Sequence, residues 1–246
     1  MSGSHFIITG TIKGIGEQLA HMLLEKGHVV HGIARGTPGR LSSYPNYRHH
    51  VYNLSETSGL EGLMDNIFEE IDPDHADRIC LINNASMLEP LKAIELCDAT
   101  DIHMNVQISL IAPMILTSCF IKKTEEPSIR KKIINISSGS GTYPAPTMSV
   151  YCTAKAGINM FTQSVGAEQK NRQNPVEIIA VNPGMVDTEM QRLARGKNEQ
   201  EFEMVKAFAH AFESGQLLST EEVGMHLLHI IEKDFEPGSI VNYDEI

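Results

Sequence analysis

Residues 5–24 read HFIITGTIKGIGEQLAHMLL, which is a short apolar run, three glycines and then an amphipathic segment. This order predicts a β-strand, a tight turn and a helix. Glycines at such a turn let the backbone approach a phosphate, and the free N–H groups at the helix start favour its negative charge. The glycines Gly10, Gly14 and Gly16 follow a GxxxGxG spacing rather than the commoner GxGxxG. The stretch predicts a dinucleotide-binding turn after the first strand.

The same alternation of short apolar runs and longer helical patterns continues along the chain. Such alternation is typical of a parallel sheet with helices on both faces. We predict seven strands, at residues 5–9, 28–33, 48–53, 78–83, 132–137, 176–182 and 239–242. No linker or repeat interrupts the pattern, so residues 1–246 are predicted to form one doubly wound, Rossmann-type α/β domain.

Two helices are the clearest in the sequence. Residues 60–71 carry their apolar side chains at helical spacing, which predicts a single buried stripe. Near the C-terminus, Ser219 is followed three residues later by Glu222 and then by an apolar run. This order is the capping-box pattern of a helix start.

Composition excludes several classes of function. The chain has 246 residues with 20 basic and 31 acidic side chains, and its net charge of −11 disfavours nucleic-acid binding. The basic runs at 122–123 and 130–132 are expected to be solvated. The cysteines at 80, 97, 119 and 152 form no metal or disulfide pattern, which indicates reduced thiols.

No membrane partner is expected either. The longest apolar candidate, near residues 110–121, is interrupted by Pro113, Thr117 and Ser118. The first residues show neither a basic segment nor a small-residue cleavage site, so we expect a cytoplasmic location. His226 and His229 lie three residues apart on the last helix, but a third ligand is missing nearby, and no metal is expected.

The end of the second predicted strand indicates which dinucleotide binds. An acidic side chain about 20 residues after the glycines would bind the ribose hydroxyls of NAD. Residues 31–36 read HGIARG and hold no acid, while Arg35 lies there and Lys13 lies in the glycine turn. A guanidinium binds phosphate through two hydrogen bonds. The sequence therefore predicts NADP, although Arg35 on a surface loop would look the same.

Three side chains carry the candidate chemistry. Tyr151 and Lys155 are four residues apart in a predicted helix, and Ser138 follows the fifth strand. Lowering a phenol pKa from ~10 to ~7 needs about 4 kcal/mol. An ammonium ~4 Å away supplies about that much at an effective dielectric of ~20. Lys155 is therefore expected to lower the pKa of Tyr151, unless the pair merely faces water on an amphipathic helix.

Taken together, these motifs resemble the short-chain dehydrogenase/reductase family over essentially the whole chain. The matching elements are Thr9-Gly10-xxx-Gly14-x-Gly16, Asn83-Asn84-Ala85, Asn105, Ser138, Tyr151-xxx-Lys155 and the run Asn182 to Thr188. The resemblance implies that Tyr151 is the general acid of carbonyl reduction and that Ser138 orients the carbonyl oxygen. Lys155 would bind the nicotinamide ribose, and Asn105 would hold a water in a proton relay.

The resemblance also implies which residues bind NADPH or NADP⁺. They are Gly10, Thr11, Ile12, Lys13, Gly14, Ile15, Gly16, Arg35, Asn53, Leu54, Asn84, Ala85, Ser86, Tyr151, Lys155, Pro183, Gly184, Val186 and Thr188. Two positions depart from the family pattern. Ser86 replaces a glycine, and Asn53 replaces an acid that contacts adenine; its amide oxygen is expected to accept a hydrogen bond instead.

Within the family, residues 110–116, 151–161 and 183–191 resemble bacterial benzil reductases, which are similar to sepiapterin reductases. That resemblance implies NADPH-dependent reduction of one carbonyl of a vicinal diketone, with benzil giving (S)-benzoin. The expected substrate-binding residues are Ser138, Tyr143, Tyr151 and Met190, and Asp244 is a further candidate anchor.

Residues 189–218 have no strand pattern and are predicted to form a substrate lid. Phe202, Phe208 and Phe212 either face an aromatic substrate or pack the lid against the core. Two other functions stay open, a beta-ketoacyl reductase of fatty-acid synthesis and a non-catalytic NADP(H)-binding regulator. The apolar helix near residues 108–116 and the family resemblance predict a homodimer, with a tetramer left open.

Overall fold

The computed structural model describes residues 3–72, 76–125 and 129–245. In this part of the chain, seven parallel strands form one sheet in the order β3-β2-β1-β4-β5-β6-β7. The strands are β1 His5–Thr9, β2 Val29–Ala34, β3 Tyr47–Val51, β4 Arg78–Asn83, β5 Arg130–Ile136, β6 Glu177–Asn182 and β7 Ile240–Asn242. The predicted seven-stranded parallel sheet is confirmed. The strand order reverses between β1 and β4, and ligands of doubly wound folds bind at the carboxyl edge of that point.

Helices cover both faces of the sheet. They are α1 Gly14–Glu25, α2 Leu60–Glu69, α3 Ala99–Val106, α4 Ala112–Lys123, α5 Ser149–Gln169, α6 Glu189–Arg195, α7 Val205–Glu213 and α8 Thr220–Glu232. Side chains alternate along β1, so Phe6 packs with α1 and α8 on one face. Ile7 packs with α2, α4 and part of α5 on the other. Both faces of the sheet are therefore buried.

The two helices that the sequence marks most clearly both form. The apolar stripe of α2 buries Leu60, Met64 and Ile67. At the start of α8, the Glu222 backbone N–H donates to Ser219 Oγ at 3.1 Å. The Ser219 N–H donates to Glu222 Oε2 at 2.7 Å. The predicted capping box is therefore confirmed.

The apolar segment around residues 110–121 belongs to a longer helix than the sequence analysis described. A π-helical turn at Gln107–Ile111 joins α3 and α4 into one helix, Ala99–Lys123. By length and composition alone, this helix could cross a membrane. Pro113 does not end this helix, because it lies just after the π-helical turn, where the backbone hydrogen-bond pattern is already irregular. Leu116 and Phe120 are fully buried against the sheet. These contacts are those of a core helix.

The expectation that the basic run at 130–132 is solvated holds for Arg130 but is wrong for the two lysines. Lys131 and Lys132 are both buried. Lys132 Nζ donates to Ile230 O at 2.8 Å, at the C-terminal end of α8, and lies 3.0 Å from Glu177 Oε1. Carbonyl groups at a helix end favour a cation. The charge of Lys132 therefore joins α8 to the base of the sheet.

Candidate active site

The glycine turn after β1 has the shape that a phosphate requires. Gly10 has φ of +77°, a conformation that side chains disfavour. A Cβ atom on Gly16 would lie 2.4 Å from Gly10 O, so no larger residue fits. The first turn of α1 has no side-chain cap, because Lys13 at the N-cap makes no capping hydrogen bond. These free N–H groups and the open backbone fit the pyrophosphate of a dinucleotide.

The end of β4 is fastened to this turn. The N–H groups of Asn84 and Ala85 donate to Thr9 Oγ1 at 3.0 and 2.9 Å, and Asn84 Nδ2 donates to Thr9 O at 2.9 Å. Ser86 does not adopt a positive φ, so the conformation here is open to serine. Its hydroxyl lies 3.1 Å from Ser109 Oγ. The absence of the family's glycine therefore causes no strain.

Arg35, Lys13 and Thr11, which are expected to bind the dinucleotide, have different surroundings in the structure. Arg35 is exposed directly after β2 and makes no hydrogen bond or ion pair with the residues that the structure describes. Lys13, the second expected cation, is also exposed, and its Nζ lies 2.6 Å from Glu189 Oε2 at the start of α6. This ion pair had no signal in the sequence, since its members are far apart in the chain. Thr11 is fully buried, and its hydroxyl pairs with Tyr47 rather than facing the cleft.

Asn53 makes two hydrogen bonds within its own turn. Its Oδ1 accepts from the Ser55 N–H at 3.3 Å, and its Nδ2 donates to Glu56 Oε1 at 3.3 Å. The Asn53 amide oxygen thus accepts one hydrogen bond within its own turn, as asparagine side chains in turns often do, and keeps a second lone pair. The side chain of Leu54 is buried in the core.

Ser138, Tyr151 and Lys155 come together at the carboxyl edge of β5. Ser138 follows this strand, and its Oγ accepts from the Ser140 N–H at 3.2 Å and is hydrogen bonded to Tyr151. Tyr151 and Lys155 share one face of α5. Lys155 Nζ donates to Ile136 O at 2.8 Å and lies 5.6 Å from the centre of the Tyr151 ring. The structure thus brings these three predicted side chains together at one edge of the sheet.

The expected direction of the Tyr151 pKa is wrong, because the phenol pKa is raised and not lowered. Burial raises the pKa of Tyr151 to about 12, and the hydrogen bond with Ser138 opposes this only partly. Burial also lowers the pKa of Lys155 to about 8. The phenol packs against Leu88, Met148 and Phe202, which remove it from water. The Lys155 ammonium does not counter this rise in the Tyr151 pKa, and it donates to the Ile136 carbonyl instead.

Asn105 is fully buried where α3 meets the π-helical turn. Its Nδ2 donates to Met87 O and Glu89 O, each at 2.7 Å. Its Oδ1 has no hydrogen-bond partner among the described residues. A buried acceptor without a partner is costly and needs an explanation, such as a bound water. Irregular turns of this kind often occur at functional sites.

The loop after β6 closes the other side of the cleft. Pro183 is buried and Gly184 is exposed, while Val186 pairs with Leu218 through an isolated parallel bridge. Thr188 caps α6 by accepting from the Gln191 N–H at 3.4 Å. A Cβ atom on Gly14 would lie 3.6 Å from Thr188 Cγ2, so this loop borders the glycine turn.

Residues 189–218 pack over Tyr151. Phe202 is fully buried in a cluster with Leu88 and Tyr151, and its ring centre lies 5.5 Å from that of Phe208. Phe212 is half exposed under the Arg195 guanidinium, 3.9 Å from its ring centre. Of the two readings for these rings, Phe202 fits the packing role. An ion pair of 2.6 Å between Lys197 and Glu89 joins the segment to the loop after β4.

Two predicted substrate contacts differ in exposure. Tyr143 is 59% exposed in the loop after Ser138. Met190 is half-buried at the edge of the cluster around Tyr151. Asp244 lies exposed in a 3₁₀ turn, Tyr243–Glu245, after β7.

Comparison with known proteins identifies the class of protein. The family model for short chain dehydrogenases matches residues 4–199. The chain is 39% identical to a benzil reductase ((S)-benzoin forming) of Bacillus cereus, over 98% of this chain and 99% of that one. It is 28% identical to the sepiapterin reductase of Bos taurus, over 78% of this chain and 72% of that one.

A crystal structure of a short chain dehydrogenase/reductase from Saccharomyces cerevisiae superposes with a TM-score of 0.83 at 25% identity, covering 99% of this chain and 97% of that one. The chain therefore belongs to the short-chain dehydrogenase/reductase family. It is an oxidoreductase that acts on CH–OH and C=O groups of small molecules, a carbonyl reductase of this family's type. Both the predicted family and the resemblance to benzil and sepiapterin reductases are confirmed.

Proposed function

We propose that the protein reduces one carbonyl of a vicinal diketone, or of a similar aromatic carbonyl compound, with NADPH. The observation that carries this proposal is the group of Ser138, Tyr151 and Lys155 at the same carboxyl edge of the sheet as the glycine turn. Hydroxyl groups from two elements meet there at one point. A carbonyl oxygen bound between them would be polarised from two sides.

The described residues suit a nicotinamide dinucleotide. The glycine turn and the start of α1 would hold the pyrophosphate, Arg35 the 2′-phosphate, and Lys155 the nicotinamide ribose. The loop with Val186 and Thr188 would hold the carboxamide. Bound there, reduced nicotinamide supplies the hydride.

In the mechanism that we propose, Ser138 and Tyr151 donate hydrogen bonds to the substrate oxygen. Tyr151 then gives its proton to that oxygen as negative charge develops on it. The raised pKa of Tyr151 suits this direction, because it keeps the phenol protonated until an alkoxide, which is a far stronger base, is formed. The Lys155 ammonium stabilises the resulting tyrosinate. A water on Asn105 Oδ1 would return the proton from solvent.

The substrate class follows from what surrounds this oxygen site. Tyr143 and Met190 offer an aromatic ring and a thioether at its mouth. Such side chains make favourable contacts with aromatic rings. The relatives named benzil reductase support a diketone with aromatic substituents.

A substrate panel tests this proposal. With saturating NADPH, we expect kcat/KM for benzil to exceed that for an aromatic monoketone by at least about tenfold, since the second carbonyl activates the first. Chiral chromatography should show one benzoin enantiomer. A higher kcat/KM for a beta-ketoacyl group on its carrier protein would contradict the proposal and favour a fatty-acid reductase. No turnover of any carbonyl would favour a binding regulator.

The choice of NADPH is tested at Arg35. Arg35→Ser should weaken NADPH binding roughly ten- to hundredfold, because a hydrogen bond to a charged group contributes about 1.5–3 kcal/mol. NADH binding should stay unchanged. The matched control is Arg40→Ser, which removes an exposed arginine that pairs with Glu17 away from the end of β2. Equal losses for NADPH and NADH, or none in Arg35→Ser, would contradict the assignment. Fluorescence titration measures both affinities.

Two broader features belong to the same proposal. We propose one dinucleotide-binding domain acting in the cytoplasm on a small-molecule carbonyl substrate, with residues 189–218 as its lid. We also propose a homodimer, because Ile111 and Met114 on the long helix and Met160 on α5 are exposed. Exposed apolar side chains grouped in this way often mark protein interfaces.

A further inference from the structure

Three histidines lie close together on the α2 side of the sheet, on strands β1 to β3 rather than at the end of β5 that holds Ser138. They are His5 on β1, His31 on β2 and His50 on β3. His31 Nε2 lies 3.3 Å from His5 Nδ1, and His31 Nδ1 lies 3.3 Å from His50 Nε2. The neighbouring rings are stacked with centres 5.6 Å apart. His31 is therefore joined to a histidine at each of its nitrogens.

A carboxylate completes this group. Glu70 is the C-cap of α2, and one ligand atom each of His31, His50 and Glu70 lies within 4.8 Å of the others. Burial increases from Glu70 at the surface, through His50, to His31, which is fully buried. An ion could thus enter from the Glu70 side while the imidazole at the bottom stays fixed by the sheet.

The spacing of the nitrogens is that of metal ligands. A tetrahedral zinc ion with Zn–N bonds of ~2.0–2.1 Å holds neighbouring nitrogens about 3.4 Å apart. The 3.3 Å between His31 Nδ1 and His50 Nε2 matches this without any movement of the backbone. Glu70 is exposed, so rotation of its side chain can bring its carboxylate closer.

His5 supplies a second requirement of such a site. A metal-bound imidazole usually donates its other N–H to an acceptor, which fixes its tautomer and orientation. His5 Nδ1 lies where His31 Nε2–H would donate. With its proton on Nε2 toward His5, His31 carries its lone pair on Nδ1, on the side of His50.

Arg48 would compete with a metal ion for Glu70, which provides a test of the site. Arg48 Nε lies 3.7 Å from Glu70 Oε2, with both side chains nearly half exposed. Exposed ion pairs of this kind are weak. A metal ion would take Glu70 from Arg48, so removing the arginine should favour the ion.

We propose that His31, His50 and Glu70 bind one divalent first-row metal ion, with Zn²⁺ as the expected occupant and water completing its coordination. Two imidazoles with one carboxylate suit zinc and its neighbours rather than Mg²⁺ or Ca²⁺. The ion would join the end of α2 to β2 and β3. It would act on the stability of this edge of the sheet and not on the carbonyl chemistry.

Calorimetric titration of untagged, chelator-treated protein with Zn²⁺ tests this site. We expect one ion per chain, a rise in Tm on binding, and with Co²⁺ the visible absorption of a low-symmetry site. His50→Gln should weaken binding by at least about tenfold, and Arg48→Gln should strengthen it. His229→Gln, which removes a histidine on α8, is the matched control and should change nothing. His31 is left intact because substitution in the core could prevent folding.

Two results would overturn the proposal. One is no binding at micromolar Zn²⁺. The other is binding that His229→Gln weakens as much as His50→Gln does, which would indicate ordinary surface histidines. Because the readouts are heat, Tm and absorption, they do not depend on whether the protein reduces any carbonyl.

Discussion

Tyr151→Phe is expected to lower kcat for carbonyl reduction by roughly 10²–10⁴-fold, the usual contribution of a positioned general acid. The substitution removes only the hydroxyl group. The ring would keep its contacts with Leu88, Met148 and Phe202, so the fold and the affinity for NADPH should be preserved. Stopped-flow measurement of the decrease in NADPH absorbance, together with a fluorescence titration of NADPH, separates the two effects.

Tyr44→Phe is the matched control for this experiment. Tyr44 OH lies 2.9 Å from His21 Nδ1, on the α1 face of the sheet and away from Ser138. This variant loses the same atom and should keep wild-type turnover within about twofold, as expected for a site outside the chemistry. If Tyr151→Phe also kept its turnover, the proton would come from another group and the proposed mechanism would be wrong.

Lys155→Met is expected to lower kcat and to raise the free energy of unfolding. Without the ammonium, the tyrosinate that forms loses its counter-charge, and kcat should fall roughly 10²–10³-fold, as after loss of an electrostatic catalytic group. In the wild-type protein, reduction should weaken as pH rises through about 8, because Lys155 then loses its charge. The variant should lack this pH dependence. Steady-state rates between pH 6 and 10 measure both.

The same substitution should stabilise the fold. Lys155 is 3% exposed, and its pKa falls from 10.5 to about 8 on folding. The unfolded chain therefore binds more protons between these values, so wild-type stability rises with pH across that window. Below pH 8 the buried charge lowers the free energy of unfolding by about 3 kcal/mol. Lys155→Met would remove this cost but would also lose the hydrogen bond to Ile136 O, which offsets part of the gain.

Denaturant unfolding at several pH values tests this expectation. The difference between the variant and the wild type should be largest below pH 8 and should vanish near pH 10.5. If the variant were less stable than the wild type at pH 7, burial of the charged ammonium would not destabilise the folded protein, contrary to this prediction. The account would also be contradicted if the variant were stabilised and fully active.

The parts of the molecule that local patterns determine could be predicted from the sequence. The glycine turn, the α2 stripe and the capping box of Ser219 and Glu222 each depend on residues close together in the chain. The four-residue spacing of Tyr151 and Lys155 on one helix is likewise local. For the same reason, strand positions were predicted to within two residues.

Features that depend on distant segments could not be predicted. Burial by Leu88 and Phe202 decides the pKa of Tyr151, and no spacing rule places these residues beside the phenol. The Lys13–Glu189 pair and the burial of Lys132 under the end of α8 likewise arise from tertiary packing. His31, His50 and Glu70 share no motif, because the sheet register and the end of α2 bring them together.

The central claim is that this site reduces a vicinal diketone with NADPH, and one measurement tests it most directly. The oxidation of NADPH and of NADH by the purified protein would be followed with benzil as acceptor, beside Tyr151→Phe. We predict rapid oxidation of NADPH, much slower oxidation of NADH, and loss of both in the variant. Preference for NADH would contradict the role of Arg35. Equal rates in Tyr151→Phe and the wild type would contradict the proposed chemistry of the site.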